Sequence, residues 1–153
     1  MIGEGDKAPG IAVTTTGGDT IDLASPGGPL VLYFYPKDDT PGCTREAQDF
    51  SAHIDAFAKA GAKVVGVSRD TAAKHDKFAA KYDLKVPLVS DADGAISDAF
   101  GTWVEKKLYG REYMGLERAT FLIGEDGTVK KVWRKVKVAG HAEAVLDAVK
   151  ALG

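Results

Sequence analysis

The stretch Pro36 to Glu46, PKDDTPGCTRE, carries the one cysteine among 153 residues. Thr40 is a good helix N-cap, and Pro41 suits the first helical position, where its missing N–H would be an orphan anyway. Gly42 allows another group to approach the backbone closely. Cys43 then falls at the third helical position, among unpaired N–H groups at the positive end of the helix dipole. A sulfur so placed offers nucleophilic chemistry, provided it is a thiolate. An ordinary thiol of pKa ~8.5 is about 3% ionised at pH 7, and one of pKa ~6 about 90%. That difference is roughly 3.4 kcal/mol in favour of the anion. A helix terminus supplies about 0.3–1 kcal/mol, or about 2 when partly buried. A cation must supply the rest, and spacing does not choose among Lys37, Arg45 and Arg118. The competing interpretation, a small buried hydrophobe, sits poorly with Thr, Pro and Gly preceding the cysteine after an apolar strand. Glu46 lies one turn further on, where its charge opposes a thiolate unless an arginine takes it up. It serves either to orient Arg118, to buttress Arg45, or as an exposed acid of the helix face.

The elements around this segment alternate. Ile11–Val13, a Gly17-Gly18 turn and Thr20–Leu23 read as a small hairpin. Leu30–Tyr35, LVLYFY, is apolar on both faces and suits a central strand, which Pro36 ends. A helix is expected from Pro41 to about Ala60, with Phe50, Ile54, Phe57 and Ala58 as its buried stripe and Gly61 as its stop. Ala62–Ser68 is a second buried strand, and the three elements make a right-handed βαβ unit. Asp70 or Thr71 caps a helix through Tyr82, and Val86–Val89 is a short strand interrupted by Pro87. Asp91–Phe100 reads as a short helix closed by Gly101, and Ala119–Ile123 with Thr128–Trp133 as a hairpin across Asp126-Gly127. A last helix runs from about Ala142 to Leu152. The layout is α/β and thioredoxin-like: a mixed central sheet with helices on both faces and an N-terminal hairpin, in one domain over residues 1–153.

Composition narrows the function classes. With 44% hydrophobic and 27% charged residues the chain is globular rather than disordered. A net charge of -2 gives no electrostatic reason to expect nucleic acid or anionic lipid as a partner. No run of about eighteen apolar residues spans a membrane, and MIGEGDKAPG does not read as a signal peptide. A single cysteine excludes an internal disulfide, a CxxC pair and a multi-cysteine zinc site. The expectation is a cytoplasmic protein with neither metal nor cofactor.

The segment YFYPKDDTPGCTREAQDF resembles the active-site segment of the peroxiredoxins, whose P-x-x-x-T-x-x-C motif falls on Pro36, Thr40 and Cys43. Its wording is most similar to the Q-type, or bacterioferritin-comigratory, branch. A second block, Phe100 to Gly124, matches the family's later active-site segment and puts Arg118 at its arginine position. The resemblance covers essentially the whole chain. It implies that Cys43 is the peroxidatic nucleophile, that Thr40 hydrogen-bonds the peroxide, that Pro36 shields the sulfur, and that Arg118 holds the thiolate and polarises the peroxide. Backbone N–H groups around Gly42 and Cys43 would stabilise the departing oxygen. The chain departs from many Q-type members in having no second, resolving cysteine: Gln48 and Ala79 stand at the expected places. The sulfenic acid on Cys43 therefore cannot condense within the chain. The implied cycle reduces hydrogen peroxide and organic hydroperoxides and is recycled by an external thiol, with thioredoxin, glutaredoxin and glutathione all open. Q-type relatives are often monomers, and a monomer is expected.

Other features weigh less. His53, His75 and His141 lack metal-ligand spacing and read as surface or satisfied histidines. A cysteine-protease pairing is closed to His53, about 15 Å along the helix from Cys43, though spacing does not exclude the other two. The basic run Val129–Val138 reads as the solvated face and edge of a strand, or else as a docking patch for an acidic reductant. Trp103, Tyr109 and Tyr113 lie in an expected glycine-punctuated loop and either wall the site or simply pack. The rival to an enzyme is a peroxide-responsive redox sensor or binding module on the same fold, but such a module has less need of a polarising arginine.

Overall fold

The computed structural model describes residues 2–152. Its central sheet has five strands in the order β5-β4-β3-β8-β9. β3 (Leu30–Phe34), β4 (Lys63–Ser68) and β5 (Leu88–Ser90) run parallel, while β8 (Ala119–Ile123) is antiparallel to β3, and β9 (Val129–Trp133) to β8. The sheet is mixed, as expected, and the fold is thioredoxin-like. The alternation along β3 explains why it sits at the centre. Leu30, Leu32 and Phe34 enter one hydrophobic cluster, and Val31, Tyr33 and Tyr35 enter the other, so burial on both faces requires apolar residues at every position. Gly66 on β4 faces Tyr33, whose ring leaves no room for a side chain there: a Cβ would lie 2.6 Å from the ring.

One face of the sheet carries α1 (Pro41–Ala52), α2 (Ile54–Lys59), α3 (Ala72–Tyr82) and α5 (His141–Ala151), whose Phe50, Phe57, Phe78 and Val145 share a cluster. The opposite face carries α4 (Ala95–Phe100) and the small hairpin β1 (Ala12–Thr14)–β2 (Thr20–Asp22), through Phe100, Val13 and Ile21.

Five expectations change. The long helix to Ala60 is broken at His53, where ψ of 7° separates α1 from α2. Only one residue leaves the helix, so the Phe50 and Phe57 rings still meet at 6.0 Å. The strand expected at Val86–Val89 begins after Pro87, which cannot donate to the ladder. The helix expected from Asp91 starts at Ala95 instead, because Asp91 stays outside and caps it: its carboxylate accepts from Ile96 N–H at 2.9 Å and Ser97 N–H at 2.8 Å. The supposed loop around Trp103, Tyr109 and Tyr113 is a second hairpin, β6 (Trp103–Leu108) and β7 (Arg111–Leu116). Tyr109 and Gly110 both adopt positive φ, the conformation a two-residue turn between twisted strands requires. The basic run also splits. Val129–Trp133 is the edge strand, whereas Arg134 turns in and donates to Glu117 at 2.5 Å.

Candidate active site

Six residues separate the end of β3 from the start of α1, and the connecting loop is fastened in two places. Asp38 is buried beneath it. The Tyr35 hydroxyl, which burial keeps protonated, donates to Asp38 Oδ1 at 2.5 Å, and His75 Nδ1 of α3 lies 2.6 Å from Oδ2. The Asp38 N–H in turn donates to Asp70 Oδ2 at 2.8 Å, at the end of β4. Asp39, with φ of 59°, points the other way and accepts from Lys81 at 2.8 Å and from the Tyr82 hydroxyl. Asp38, Asp70 and His75 form the one cluster of metal-ligand type among the described residues. Both His75 nitrogens, both Asp38 oxygens and Oδ2 of Asp70 are already engaged in hydrogen bonds, which makes the cluster a clamp on the loop.

At the start of α1 the backbone of Thr40 is extended, as an N-cap requires, but its side chain does not cap. The hydroxyl donates to Lys37 O at 2.9 Å. Its lone pairs are left to accept, and the amides of the first turn keep their positive ends free. Forgoing that cap costs about 1 kcal/mol of helix stability. Cys43 occupies the third helical position with 2% of its surface exposed.

The cation that spacing left open is Arg118. β8 pairs with β3 so that Ala119 faces Phe34, which sets Arg118 beside the end of β3, where the loop to α1 starts. Its Nη2 donates to Cys43 Sγ at 3.3 Å, and its Nη1 donates to Glu46 Oε1 at 2.7 Å. One planar guanidinium thus spans the sulfur and the carboxylate, a geometry a lysine lacks. Gly42 makes room for it, since a Cβ there would lie 3.2 Å from Nη2. Arg45 is exposed on the far side of α1, 4.0 Å from Asp49, and Lys37 has no ion-pair partner among the described residues.

Glu46 is not an exposed helix-face acid: it is 1% exposed, and its Oε2 has no partner. Burial pushes its carboxyl up to about 7, with the Arg118 charge acting in the opposite sense. Arg118 is held above the ordinary arginine value, since the Glu46 and Cys43 charges together outweigh burial. Pro36 and Trp103 line the same groove beside the site, and the Arg69 guanidinium stacks on Trp103 at 3.6 Å.

The three histidines are separate from this centre. His53 is 3.3 Å from Glu143, and His75 belongs to the loop clamp. His141 lies 2.8 Å from the Thr120 hydroxyl, and burial, then the Arg118 charge, bring it down to about 4. Sequence reasoning overlooked Asp38 and its link to His75, which reads in the sequence as a surface or satisfied histidine and is buried with both ring nitrogens engaged. The paired aspartates after Lys37 were the available signal, and nothing local connects them to a histidine 37 residues on.

The model of the AhpC/TSA family matches residues 4–132. Peroxiredoxin Bcp of Xanthomonas campestris is 52% identical over 142 residues, 92% of this chain and 89% of that protein. A structure of the Xanthomonas campestris bacterioferritin comigratory protein, described for its alkyl peroxide reduction activity, superposes with a TM-score of 0.85 at 51% identity, covering 93% and 91% of the two chains. A Cys-to-Ser mutant of PrxQ from Xylella fastidiosa gives a TM-score of 0.91 at 40% identity over 99% and 98%.

Proposed function

Because the chain belongs to the AhpC/TSA family, we propose that Cys43 is the nucleophile of a thiol-dependent peroxidase acting on hydrogen peroxide and organic hydroperoxides. The observation that carries this reading is the Arg118 guanidinium bridging Cys43 Sγ at 3.3 Å and buried Glu46 at 2.7 Å. A cation fixed in that position favours the thiolate, and being itself half-buried it acts where water screens it little.

The chemistry follows from the groups present. The thiolate attacks one peroxide oxygen in line with the O–O bond. An S–O bond forms, the O–O bond breaks, and the departing oxygen takes the electron pair and a proton from solvent to leave as water or alcohol. Arg118 and the uncapped amides of Gly42 and Cys43 face the region where negative charge grows, as an oxyanion hole does. The Thr40 hydroxyl donates its O–H to Lys37 O, so its lone pairs accept the peroxide O–H and orient it. The product is the sulfenic acid of Cys43.

With no second cysteine in the sequence, a first external thiol converts that acid to a mixed disulfide and water, and a second releases Cys43. Dependence on a thiol pool fits the cytoplasm. We place the enzyme there as a monomer, since both hydrophobic clusters close within one chain. No helix among the described residues is long and apolar enough to cross a membrane.

The test is turnover with dithiothreitol present. The wild type consumes many equivalents of peroxide per chain, and Cys43→Ser consumes none. A wild type that stops after a single equivalent under those conditions is no peroxidase.

A further inference from the structure

A groove of about 380 Å³ runs beside the site between the Pro36 loop and the β6–β7 hairpin. Its walls are apolar: Pro36, Trp103, and, on β7, Tyr113, Met114 and Leu116. Tyr113 and Met114 are 47% and 50% exposed, rare values for large apolar side chains in this chain. The charged groups in the lining are Lys37, Arg69 and Lys106 against the single acid Asp70. Asp70 is occupied by the Asp38 amide and the Ser68 hydroxyl, and Arg69 by Ser97 and Asp98. Lys37 and Lys106 have no carboxylate within ion-pair distance among the described residues. Lys106 is half-buried, and burial, with the Arg118 charge next, holds its ammonium below the ordinary lysine value, against the pull of Cys43 and Glu117. The nearness of Arg118 and Cys43 places this cation at the edge of the reacting centre.

Resting on the peroxidase reading, the geometry points to this groove as the docking site of the recycling thiol, and to that thiol as a small molecule bearing a carboxylate, seated on Lys106 and Lys37. Charge complementarity selects an anion. Size selects a small molecule: the groove encloses about 380 Å³ and the sulfur is 2% exposed, so a slender thiol lying in the groove approaches it where the broad surface of a folded protein does not. The step balances. The thiol sulfur attacks the sulfenic sulfur, an S–S bond forms, the S–O bond breaks, and the oxygen leaves as water with the thiol proton and one from solvent or the sulfenic acid. A second thiol attacks the carrier sulfur of the mixed disulfide and releases Cys43 reduced, with the small disulfide as the oxidised product.

The experiment separates the two half-reactions. Cys43 is first oxidised with one equivalent of peroxide and the gain of one oxygen confirmed by mass. Reduction is then timed with 3-mercaptopropionate, 2-mercaptoethanol and cysteamine, which differ chiefly in charge, at equal thiolate concentration. The expected order is anion, neutral, cation, with about tenfold between the ends at low salt. In Lys106→Gln the spread contracts to about twofold, while Lys137→Gln, outside the groove, retains it. Equal rates in the wild type, or a spread that survives Lys106→Gln, overturn the docking site and leave the peroxidase standing. Failure to gain the oxygen overturns the peroxidase reading and the docking site together. A charge preference seen in the oxidation step alone, with a carboxylate-bearing hydroperoxide outpacing tert-butyl hydroperoxide, assigns the groove to substrate and also overturns the proposal.

Discussion

Two neighbouring residues, Glu117 and Arg118, each enter an arginine–glutamate pair, and the pairs are built to opposite ends. Arg134 grips Glu117 with Nε at 2.5 Å and Nη2 at 3.2 Å, and the Lys135 N–H adds a third bond. Burial alone would raise the Glu117 carboxyl, but Arg134 and the backbone bond bring it below the ordinary value. Every oxygen is satisfied, and the pair joins the end of β9 to the strand before β8. Arg118 instead gives Glu46 a single bond, turns its other nitrogen to Cys43, and leaves Glu46 Oε2 buried without a partner. Burial wins there and the carboxyl rises to about 7. On the proposed reading the first pair serves only the fold and completes its hydrogen bonds, while the second serves the reaction, keeps a donor for a third party and tolerates an unsatisfied atom. The same contrast separates two helix starts. Asp91 caps α4 with both oxygens, whereas Thr40 leaves α1 uncapped beside the sulfur.

Substitutions test that contrast. Arg118→Met should slow oxidation of Cys43 by about 10²–10³-fold in stopped-flow peroxide kinetics, the usual cost of removing one preorganised donor. Oxidation at the wild-type rate would remove Arg118 from the mechanism. Glu46→Gln keeps the shape but frees the guanidinium to swing, and a loss of about tenfold in the same assay is expected.

That variant also has a pH signature. The Glu46 carboxyl lies near 7 in the folded chain, against 4.5 as its reference value. Below the lower value both states hold the proton. Between the two the unfolded chain gives it up first, so stability falls as pH rises, and above about 7 the loss is complete. Glutamine has no proton to lose. Its Tm relative to the wild type should therefore climb between about pH 5 and about pH 8, and a flat difference would contradict the buried, raised carboxyl. The smallest effect belongs to the other pair. Arg134→Met should lower stability by about 1 kcal/mol in urea unfolding and leave oxidation within about twofold. A large kinetic defect there would erase the distinction between the two pairs.

Legibility followed the range of the forces involved. The β3–α1 unit could be read because its signals are local: an apolar run, a proline that ends it, then Thr-Pro-Gly before Cys43. The β6–β7 hairpin was obscured by its charges, since Glu105, Lys106, Lys107, Arg111 and Glu112 dilute the alternation and Tyr109-Gly110 is a weak turn signal beside Asp126-Gly127. The break at His53 was hidden because one non-helical residue barely disturbs the apolar spacing.

The amino-acid order alone specified a sulfur at the third position of a helix entered from a central strand, and hence the kind of reaction it supports. Dipoles, caps and proline geometry act over a few residues, so the chain carries them wherever it goes. Three candidate cations remained until β8 lay antiparallel on β3 and brought Arg118, 75 residues away, within 3.3 Å of the sulfur. The burial of Glu46, the clamp of Asp38 on His75 and the groove under Lys106 were decided in the same way. Each is a meeting of side chains distant in sequence, and the energy of such a meeting depends on exclusion of water, which exists only once the layers have packed.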